Sequence, residues 1–332
     1  MELLALHAFH ERFGARFGAW NGREVVEDFG APATEYAACH SSVALFDLSH
    51  REILRVVGKD RVSFLQGMVT NDVESLPVGD QMYAALLTAK GSMVCDARVL
   101  KRENDVLLEL EPGQSSKAKT TLERYIVSEE VEVFDARGEF GVLALAGPRT
   151  EELSAPFLDS AVQVLRDDVL GPSARRLLIP SERLGTVAER LSKSLAKSSA
   201  QPAGMQVYEV VRVENRVPRY GIDMDEQTIP LEANLQRAIS FTKGCYLGQE
   251  VIARATYRGH VNRLLCGLII DGELPLPRTA LLRDGKAVGF TTSAVRTFER
   301  SAVLALGYVH RDSSAPGTPL QLESGGVARV AN

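Results

Sequence analysis

The stretch Lys243-Gly244-Cys245-Tyr246-Leu247-Gly248-Gln249-Glu250 places a thiol beside a cation and between two glycines, directly before a predicted helix. A neighbouring lysine and a nearby helix N-terminus both favour the thiolate form of a cysteine. Cys245 is therefore the best candidate in the chain for a reactive sulfur. It is predicted to act as a nucleophile, a redox-responsive thiol or a transient metal ligand, and the alternative is a small structural residue in a tight loop.

The segment that follows this stretch carries an excess of positive charge. Between Lys243 and Arg263 the charged side chains sum to +3, whereas the whole chain has a net charge of −5. A guanidinium group matches a carboxylate geometrically, so Arg254 and Arg258 are candidates for holding the carboxylates of an anionic ligand. Their alternative role is that of solvated charges on a helix face that runs into a linker.

The composition is that of a globular protein with room for two or three domains. The 332 residues are 45% hydrophobic and 24% charged, with a sequence pI near 5.8. This mild acidity argues against a general nucleic-acid-coating role. No apolar run is long enough to cross a bilayer, and the N-terminal segment lacks the apolar core of a secretory signal, so a cytoplasmic location without membrane contact is expected.

The four cysteines are scattered along the chain, with no Cys-x-x-Cys pair and no histidine partner at metal-ligand spacing. This pattern predicts no built-in metal site. Cys39 and Cys266 lie in apolar surroundings and are predicted to be small core residues.

Strands and helices alternate through the first two thirds of the chain. Residues 53–57 are predicted to form a strand that ends at Gly58 and leads into a helix, and residues 142–146 repeat this pattern with Gly147. Three further runs predict an antiparallel meander, namely residues 82–88, 93–100 and 105–110. Helices are predicted from the N-terminus to about Phe17, from a Thr34 cap to His40, and around residues 207–214.

After Arg258-Gly259 the pattern changes to short strands divided by glycine and proline. The strands are predicted at residues 264–270, 280–283, 286–295, 303–310 and 319–322. Asp284-Gly285 is a strong signal for a two-residue hairpin. A small closed β unit fits this pattern best.

Strand alternation in residues 93–100 separates two chemically different side chains. It predicts Asp96 on one face with Val94 and Arg98, and Cys95 on the other face with Met93. Asp96 is then placed either to accept a hydrogen bond from a heterocyclic N–H or to pair with Arg98.

Two other side chains are candidates for ligand contact. Tyr83, on the preceding strand, is predicted either to stack on an aromatic ligand or to be a half-buried core tyrosine. Glu232 follows a proline-led turn and is predicted to lie on the first turn of a helix, where its charge also complements the helix dipole.

Together these segments resemble two related families. The Lys243–Glu250 stretch, followed by Ala253-Arg254 and Tyr257-Arg258-Gly259, resembles the signature of the YgfZ family of folate-binding proteins that support iron–sulfur proteins. From His7 to the C-terminus the chain is also similar to the aminomethyltransferase T protein of the glycine-cleavage system. The stretches that carry this second similarity are Leu45-Phe46-Asp47-Leu48-Ser49-His50, Phe64-Leu65-Gln66, Thr70-Asn71-Asp72-Val73, Pro218-Arg219-Tyr220-Gly221 and Pro230-Leu231-Glu232-Ala233.

The resemblance implies an α+β fold, with ferredoxin-like folate-binding subdomains of the aminomethyltransferase type and a small C-terminal β-barrel. Residues 1–258 would form the folate-binding domain, with interleaved subdomains of approximately residues 1–135 and 136–258, and residues 259–332 would form the barrel. A tetrahydrofolate, or a one-carbon derivative of it, would occupy a central channel. The residues that the resemblance implies for binding are Tyr83, Asp96, Glu232, Lys243, Arg254 and Arg258, and those for the chemistry are Cys245 and Asp96.

Three functions follow as alternatives. The favoured one is a folate-binding accessory protein that supports iron–sulfur cluster assembly or repair in client enzymes, with Cys245 as its critical side chain. The second is a folate-dependent aminomethyltransferase acting on a lipoyl-carried group, although the T protein has paired acids where this chain has Cys95-Asp96. The third is a tRNA-modification factor that holds tRNA with its basic segment.

Overall fold

The computed structural model describes residues 1–157, 162–198, 200–257, 259–299 and 302–331. The chain forms two compact units, each built from two separate parts of the sequence. Unit 1 comprises Met1–Ile53 and Asp135–Asn215, and unit 2 comprises Leu54–Phe134 and Arg216–Asn332. None of the described helices combines the length and the apolar character needed to span a membrane.

The secondary structure alternates as the sequence predicts. The α-helices are α1 (His7–Glu11), α2 (Pro32–Ser41), α3 (Arg61–Met68), α4 (Ser115–Arg124), α5 (Thr150–Ser154), α6 (Ser181–Ser198), α7 (Met205–Glu214) and α8 (Gln249–Tyr257). The strands are β1 (Arg16–Trp20), β2 (Arg23–Asp28), β3 (Ala44–Asp47), β4 (Glu52–Val57), β5 (Gln81–Leu87), β6 (Met93–Lys101), β7 (Val106–Leu110), β8 (Glu132–Asp135), β9 (Phe140–Ala146), β10 (Gln163–Arg166), β11 (Arg175–Pro180), β12 (Gln201–Pro202), β13 (Arg263–Asp271), β14 (Ala280–Arg283), β15 (Lys286–Arg296), β16 (Val303–His310), β17 (Pro319–Leu322) and β18 (Val327–Val330).

Unit 1 contains the β1–β2 hairpin and a five-stranded sheet. The strand order of the sheet is β10-β11-β9-β3-β12, and β12 runs parallel to β3 while the other neighbours are antiparallel. Helix α6 covers this sheet with Leu184, Val187, Ala188 and Leu191, which pack against apolar side chains of β9 and β11. These residues recur at helical spacing, so one face of α6 closes the core.

Unit 2 contains a second five-stranded sheet and a closed barrel. The sheet has the order β5-β6-β7-β4-β8, and the barrel has the order β13-β16-β15-β14-β17-β18. The barrel closes because β13 pairs with both β16 and β18. Asp284 and Gly285 join β14 to β15 with φ angles of 51° and 72°. Positive φ at both positions is the requirement of a type I′ turn, so the predicted hairpin is confirmed.

The predicted repeat of strand, glycine turn and helix is present in both units. Strand β4 leads through Gly58 into α3, and β9 leads through Gly147 into α5. Both glycines have positive φ, and a Cβ atom would lie 1.9 Å from the Glu130 carbonyl oxygen at Gly58 and 2.3 Å from the Ser42 carbonyl oxygen at Gly147. Close backbone approach therefore requires glycine at each turn.

Two helix predictions near the N-terminus were wrong. Helix α1 ends at Glu11, and Phe17 lies on strand β1, since Gly14 adopts a φ of 76° that interrupts the helix. Thr34 lies inside α2 rather than at its cap, because Pro32 begins the helix. Proline is favoured at the first helical position, where its missing N–H and fixed φ cost nothing.

The predicted alternation along β6 was wrong at its first two residues because the strand contains a β-bulge. Leu86 pairs with Cys95 and Leu87 pairs with Met93, so Val94 is the extra residue. Val94 consequently packs in the same apolar cluster as Cys95, whereas Met93 packs with Leu87 in a different cluster. One inserted residue moves every side chain on one side of the bulge to the opposite face of the sheet.

Candidate functional site

The first candidate group is a tyrosine–aspartate pair on neighbouring strands of unit 2. Ala85 of β5 lies opposite Asp96 of β6, and Tyr83 lies opposite Arg98. This register makes Tyr83 and Asp96 diagonal neighbours, within reach of a long aromatic side chain. The Tyr83 hydroxyl donates a hydrogen bond of 2.5 Å to Asp96 Oδ2, and Asp96 is only 7% exposed.

The protonation of this pair follows from its surroundings. Burial and the neighbouring Asp96 carboxylate raise the pKa of Tyr83 well above its usual value. The phenol therefore stays protonated at physiological pH and acts as a donor, which leaves Asp96 as the acceptor. A carboxylate held in this way can accept hydrogen bonds from the N–H groups of a planar heterocycle.

A cation covers the tyrosine ring. Arg237, on a short 3₁₀ helix (Gln236–Ala238), places its guanidinium carbon 5.1 Å from the Tyr83 ring centroid. This is a cation–π distance, so Arg237 and Tyr83 stabilise one another. The sequence reasoning missed Arg237, because nothing in its neighbouring residues indicates that the chain returns to β5.

The Thr70-Asn71 pair ties this 3₁₀ helix to strand β5. The Asn71 amide donates to the carbonyl oxygens of Tyr83, at 2.9 Å, and of Arg237, at 3.1 Å. The Thr70 hydroxyl donates to the Ala238 carbonyl and accepts from the Ala85 N–H. Because these bonds join the backbone of both elements, the Tyr83, Asp96 and Arg237 side chains are held by a fixed frame.

Lys243 has a different role from the one predicted for it as the charge beside Cys245. Its ammonium group donates to the carbonyl oxygens of Gln66, Val69 and Asn71, at 2.5, 2.9 and 2.8 Å. An ammonium has three N–H bonds, so these contacts use all of them. They cap the carboxyl end of α3, and burial lowers the pKa of Lys243 to about 8. Lys243 therefore holds two loops together in unit 2.

Cys245 is the exposed cysteine of this chain, whose four cysteines are all described. Its neighbour Tyr246 is buried, and the next N–H, of Leu247, donates to the Gly67 carbonyl at 2.9 Å. Helix α8 begins at Gln249, close to the predicted start. Burial raises the pKa of Cys39 to about 12 and that of Cys266 to about 11, and it raises the pKa of Cys95 further. Exposure sets Cys245 apart as the thiol that reagents and partners can reach.

The second glycine of the motif holds α8 against the turn between β5 and β6. Gly248 has a φ of 81°, and a Cβ atom there would lie 2.6 Å from the Thr88 carbonyl oxygen. A Cβ atom on Gly91, in the same turn, would lie 2.6 Å from the Val251 side chain of α8. Both glycines are thus required for close packing, whereas Gly244 has open space around its Cα atom.

The remaining predicted site residues occupy other surroundings. Glu232 lies in a turn rather than on a helix, so the predicted helix position was wrong, and its carboxylate pairs with Arg263 at 3.0 Å. Arg254 lies exposed in the last turn of α8, where a positive charge complements the helix dipole. Arg258 lies outside the described residues. Within the described part of the chain, no group of three or more His, Cys, Asp or Glu side chains could hold a metal ion.

Comparisons with known protein families define the class of this fold. The GCVT N-terminal domain matches residues 6–166, and the Glycine cleavage T-protein C-terminal barrel domain matches residues 263–332. The chain therefore has the aminomethyltransferase fold. The predicted α+β architecture with a C-terminal β-barrel is confirmed.

Individual relatives extend this similarity over nearly the whole chain. An aminomethyltransferase of Geobacillus kaustophilus (strain HTA426) is 27% identical, over 98% of this chain and 95% of that protein. An aminomethyltransferase of Desulfitobacterium hafniense (strain DSM 10664 / DCB-2) is 26% identical, over 96% of this chain and 92% of that protein. The crystal structure of glycine cleavage system aminomethyltransferase T from Bartonella henselae superposes with a TM-score of 0.88 at 22% identity, covering 100% of this chain and 97% of that one.

Proposed function

We propose that this chain binds tetrahydrofolate, or a one-carbon derivative of it, beside Asp96 and Tyr83. The observation that carries the proposal is the buried Asp96 carboxylate, which Tyr83 orients through a 2.5 Å hydrogen bond. A reduced pterin carries ring N–H and amino donors in one plane, and hydrogen bonds from such donors to a carboxylate are among the stronger ones in proteins.

The aminomethyltransferase fold supports this ligand, since the resemblance to the glycine-cleavage T protein implies a bound tetrahydrofolate. It also supports folate-dependent aminomethyl transfer as the activity. The similarity spans both the N-terminal domain and the barrel, and it covers 95% of the Geobacillus relative.

The absence of a paired acid at position 95 does not weaken this proposal. Cys95 is buried in the apolar cluster that includes Leu54 and Leu65, on the face of β6 opposite to Asp96. A second carboxylate at position 95 would enter that core and would not reach a ligand bound by Asp96. The single acid that faces the Tyr83 side chain is present.

The binding step is tested by calorimetry with tetrahydrofolate under anaerobic conditions. Asp96→Asn removes the charge while keeping the shape, and we expect roughly a 10- to 100-fold loss of affinity, as a charge-assisted hydrogen bond contributes about 1.5–3 kcal/mol. Asp80→Asn is the matched control, because Asp80 is exposed at the other end of the β5–β6 hairpin. Equal affinities for Asp96→Asn and wild type would refute the proposed site.

The activity is tested separately, with a lipoyl carrier loaded with an aminomethyl group. We expect tetrahydrofolate-dependent release of the group by the wild-type protein and a loss of turnover in Asp96→Asn. A protein that binds tetrahydrofolate but shows no turnover with a competent carrier would exclude aminomethyl transfer and leave the binding proposal intact.

A second candidate function is that of a folate-binding accessory protein for iron–sulfur enzymes. The exposure of Cys245 within its glycine-flanked motif supports it. In this case Cys245→Ser lowers the activity of iron–sulfur enzymes in cells under oxidative stress while tetrahydrofolate binding stays unchanged. Full client activity in Cys245→Ser cells would exclude this function. The tRNA-binding alternative rests on charge alone and depends on Arg258, which lies outside the described residues.

A further inference from the structure

Unit 2 contains a cavity of about 670 Å³ that the folate proposal does not use. It lies between residues 221–228, here called the strap, and barrel strands β14, β15 and β16. Its volume is in the range of pockets that hold small organic ligands. Its lining includes two aromatic rings, two arginines and two aspartates, namely Phe290, Tyr308, Arg263, Arg278, Asp223 and Asp225.

The two arginines stack on two adjacent rings. The guanidinium carbon of Arg263 lies 4.7 Å from the Tyr308 centroid, and that of Arg278 lies 4.6 Å from the Phe290 centroid. The ring centroids are 5.6 Å apart. A guanidinium stacked on a ring by its face keeps the N–H donors at its edge available for a planar anion.

The two arginines differ in how far their charge is already neutralised. Arg263 pairs with Glu232 at 3.0 Å. Among the residues that the structure describes, no carboxylate or hydrogen-bond acceptor engages the guanidinium of Arg278. Arg278 is therefore the group on this wall that is ready to bind an incoming anion.

The backbone at Arg278 is held in an unfavourable conformation. Its φ angle is 70°, which an L-residue with a side chain adopts rarely. The Arg278 N–H donates to the Thr291 carbonyl at 2.7 Å, a bond that fixes this conformation against β15. Strain of this kind concentrates at ligand sites, where it aims a side chain.

The opposite wall of the cavity is equally well fixed. Asp223 of the strap is 2% exposed and accepts hydrogen bonds from the hydroxyls of Thr292, at 2.5 Å, and Ser293, at 2.7 Å. The Tyr308 hydroxyl donates to the Asp223 carbonyl oxygen at 2.9 Å. These bonds pin the strap to the barrel, so the cavity is formed before any ligand enters.

We infer that this cavity binds a small aromatic carboxylate. The carboxylate pairs with the edge of the Arg278 guanidinium, and the aromatic part packs against the Arg–aromatic stacks that line the same wall. The planar, two-pronged geometry of the guanidinium favours a carboxylate, and the volume accommodates an aromatic group beside it. This inference rests on Arg278 and the rings beside it, and it does not depend on the folate proposal.

Hippurate, an aromatic amide with one carboxylate, is a suitable probe, and hippuramide is its uncharged counterpart. Binding is followed by the shifts of the arginine Nε–Hε resonances of the full chain. We expect saturable shifts at Arg278 with hippurate and at least tenfold weaker binding of hippuramide. Equal binding of the two probes, or no shift at Arg278 with hippurate, would overturn the inference.

Three variants locate the site. Arg278→Ala is expected to weaken hippurate binding at least tenfold, whereas Arg329→Ala, an exposed arginine of β18 outside the cavity lining, leaves it unchanged. Asp96→Asn also leaves hippurate binding unchanged, although it weakens tetrahydrofolate binding. If Asp96→Asn abolishes hippurate binding and Arg278→Ala does not, the probe occupies the folate site and the inference is wrong.

Discussion

The hydroxyl of Tyr83 donates a 2.5 Å hydrogen bond to the carboxylate of Asp96 across two paired strands. Diagonal pairing on one face of a sheet fixes both side chains without involving a loop. The carboxylate is thus oriented by the sheet itself, and a ligand that binds to it meets a preformed acceptor.

Replacing Tyr83 by phenylalanine tests whether this orientation matters. We expect tetrahydrofolate affinity to fall about tenfold, because the Asp96 carboxylate loses the donor that orients it, a loss of about 1.4 kcal/mol. Calorimetry measures the affinity. Tyr125→Phe, at the exposed end of α4, is the matched control and should bind as wild type. Unchanged affinity in Tyr83→Phe would show that the hydroxyl does not contribute to binding.

We expect different effects on stability when the two glycines that flank Cys245 are replaced by alanine. Gly248→Ala places a Cβ atom 2.6 Å from the Thr88 carbonyl at a φ of 81°, so we expect the free energy of unfolding to fall by about 2 kcal/mol or more. Gly244→Ala has open space and should change it by less than about 0.5 kcal/mol. Urea unfolding of the two variants compares them directly, and similar stabilities would contradict the packing of α8 described above.

We expect the free energy of unfolding to depend on pH because of Lys243. Its pKa is lowered to about 8 in the folded chain, so between pH 8 and about 10.4 the unfolded chain holds more protons at this position. Raising the pH through this window therefore favours the folded state. The measurement is the difference in unfolding free energy between wild type and Lys243→Met, which removes the titrating group. We expect this difference to move in favour of wild type as the pH rises, and a difference that is flat across the window would contradict the lowered pKa.

We expect one of the four cysteines to react rapidly with a thiol reagent. Cys245 is exposed, whereas burial raises the pKa of Cys39, Cys95 and Cys266 and suppresses their thiolates. A disulfide reagent added to the folded protein at pH 8 should react rapidly with one equivalent and slowly with the others. Cys245→Ser should remove the fast phase, and Cys266→Ser should keep it. A fast phase that survives in Cys245→Ser would place the accessible thiol elsewhere.

Local chemistry explains why five of the six barrel strands were predicted, whereas β18 (Val327–Val330) was not. The Asp284-Gly285 turn requires positive φ at two consecutive residues, and glycine or proline marks the end or start of other barrel strands, with Gly272 after β13, Pro319 at the start of β17 and Gly326 before β18. Both signals act within a few residues, so the chain sequence alone is sufficient. The β-bulge at Val94 was not predicted, because a bulge depends on how two strands pair and not on the residues of one strand alone.

In the candidate site, too, local features were predicted from the sequence and contacts between distant residues were not. The motif around Cys245 correctly indicated a glycine-flanked turn before a helix, and the alternation along β6 correctly put Asp96 and Cys95 on opposite faces. The stacking of Arg237 on Tyr83 was missed, because these residues are far apart in the sequence and meet only through the bonds of Thr70 and Asn71.

The sequence by itself determined where turns, glycine-dependent close approaches and short strands occur, because those features depend on the backbone freedom of single residues. Only the tertiary structure decided what each polar side chain contacts. Lys243 stands two residues from Cys245, yet its ammonium binds the carbonyls of residues 66, 69 and 71. A buried charge must satisfy its hydrogen bonds wherever the fold supplies acceptors, and adjacency in the sequence does not choose them.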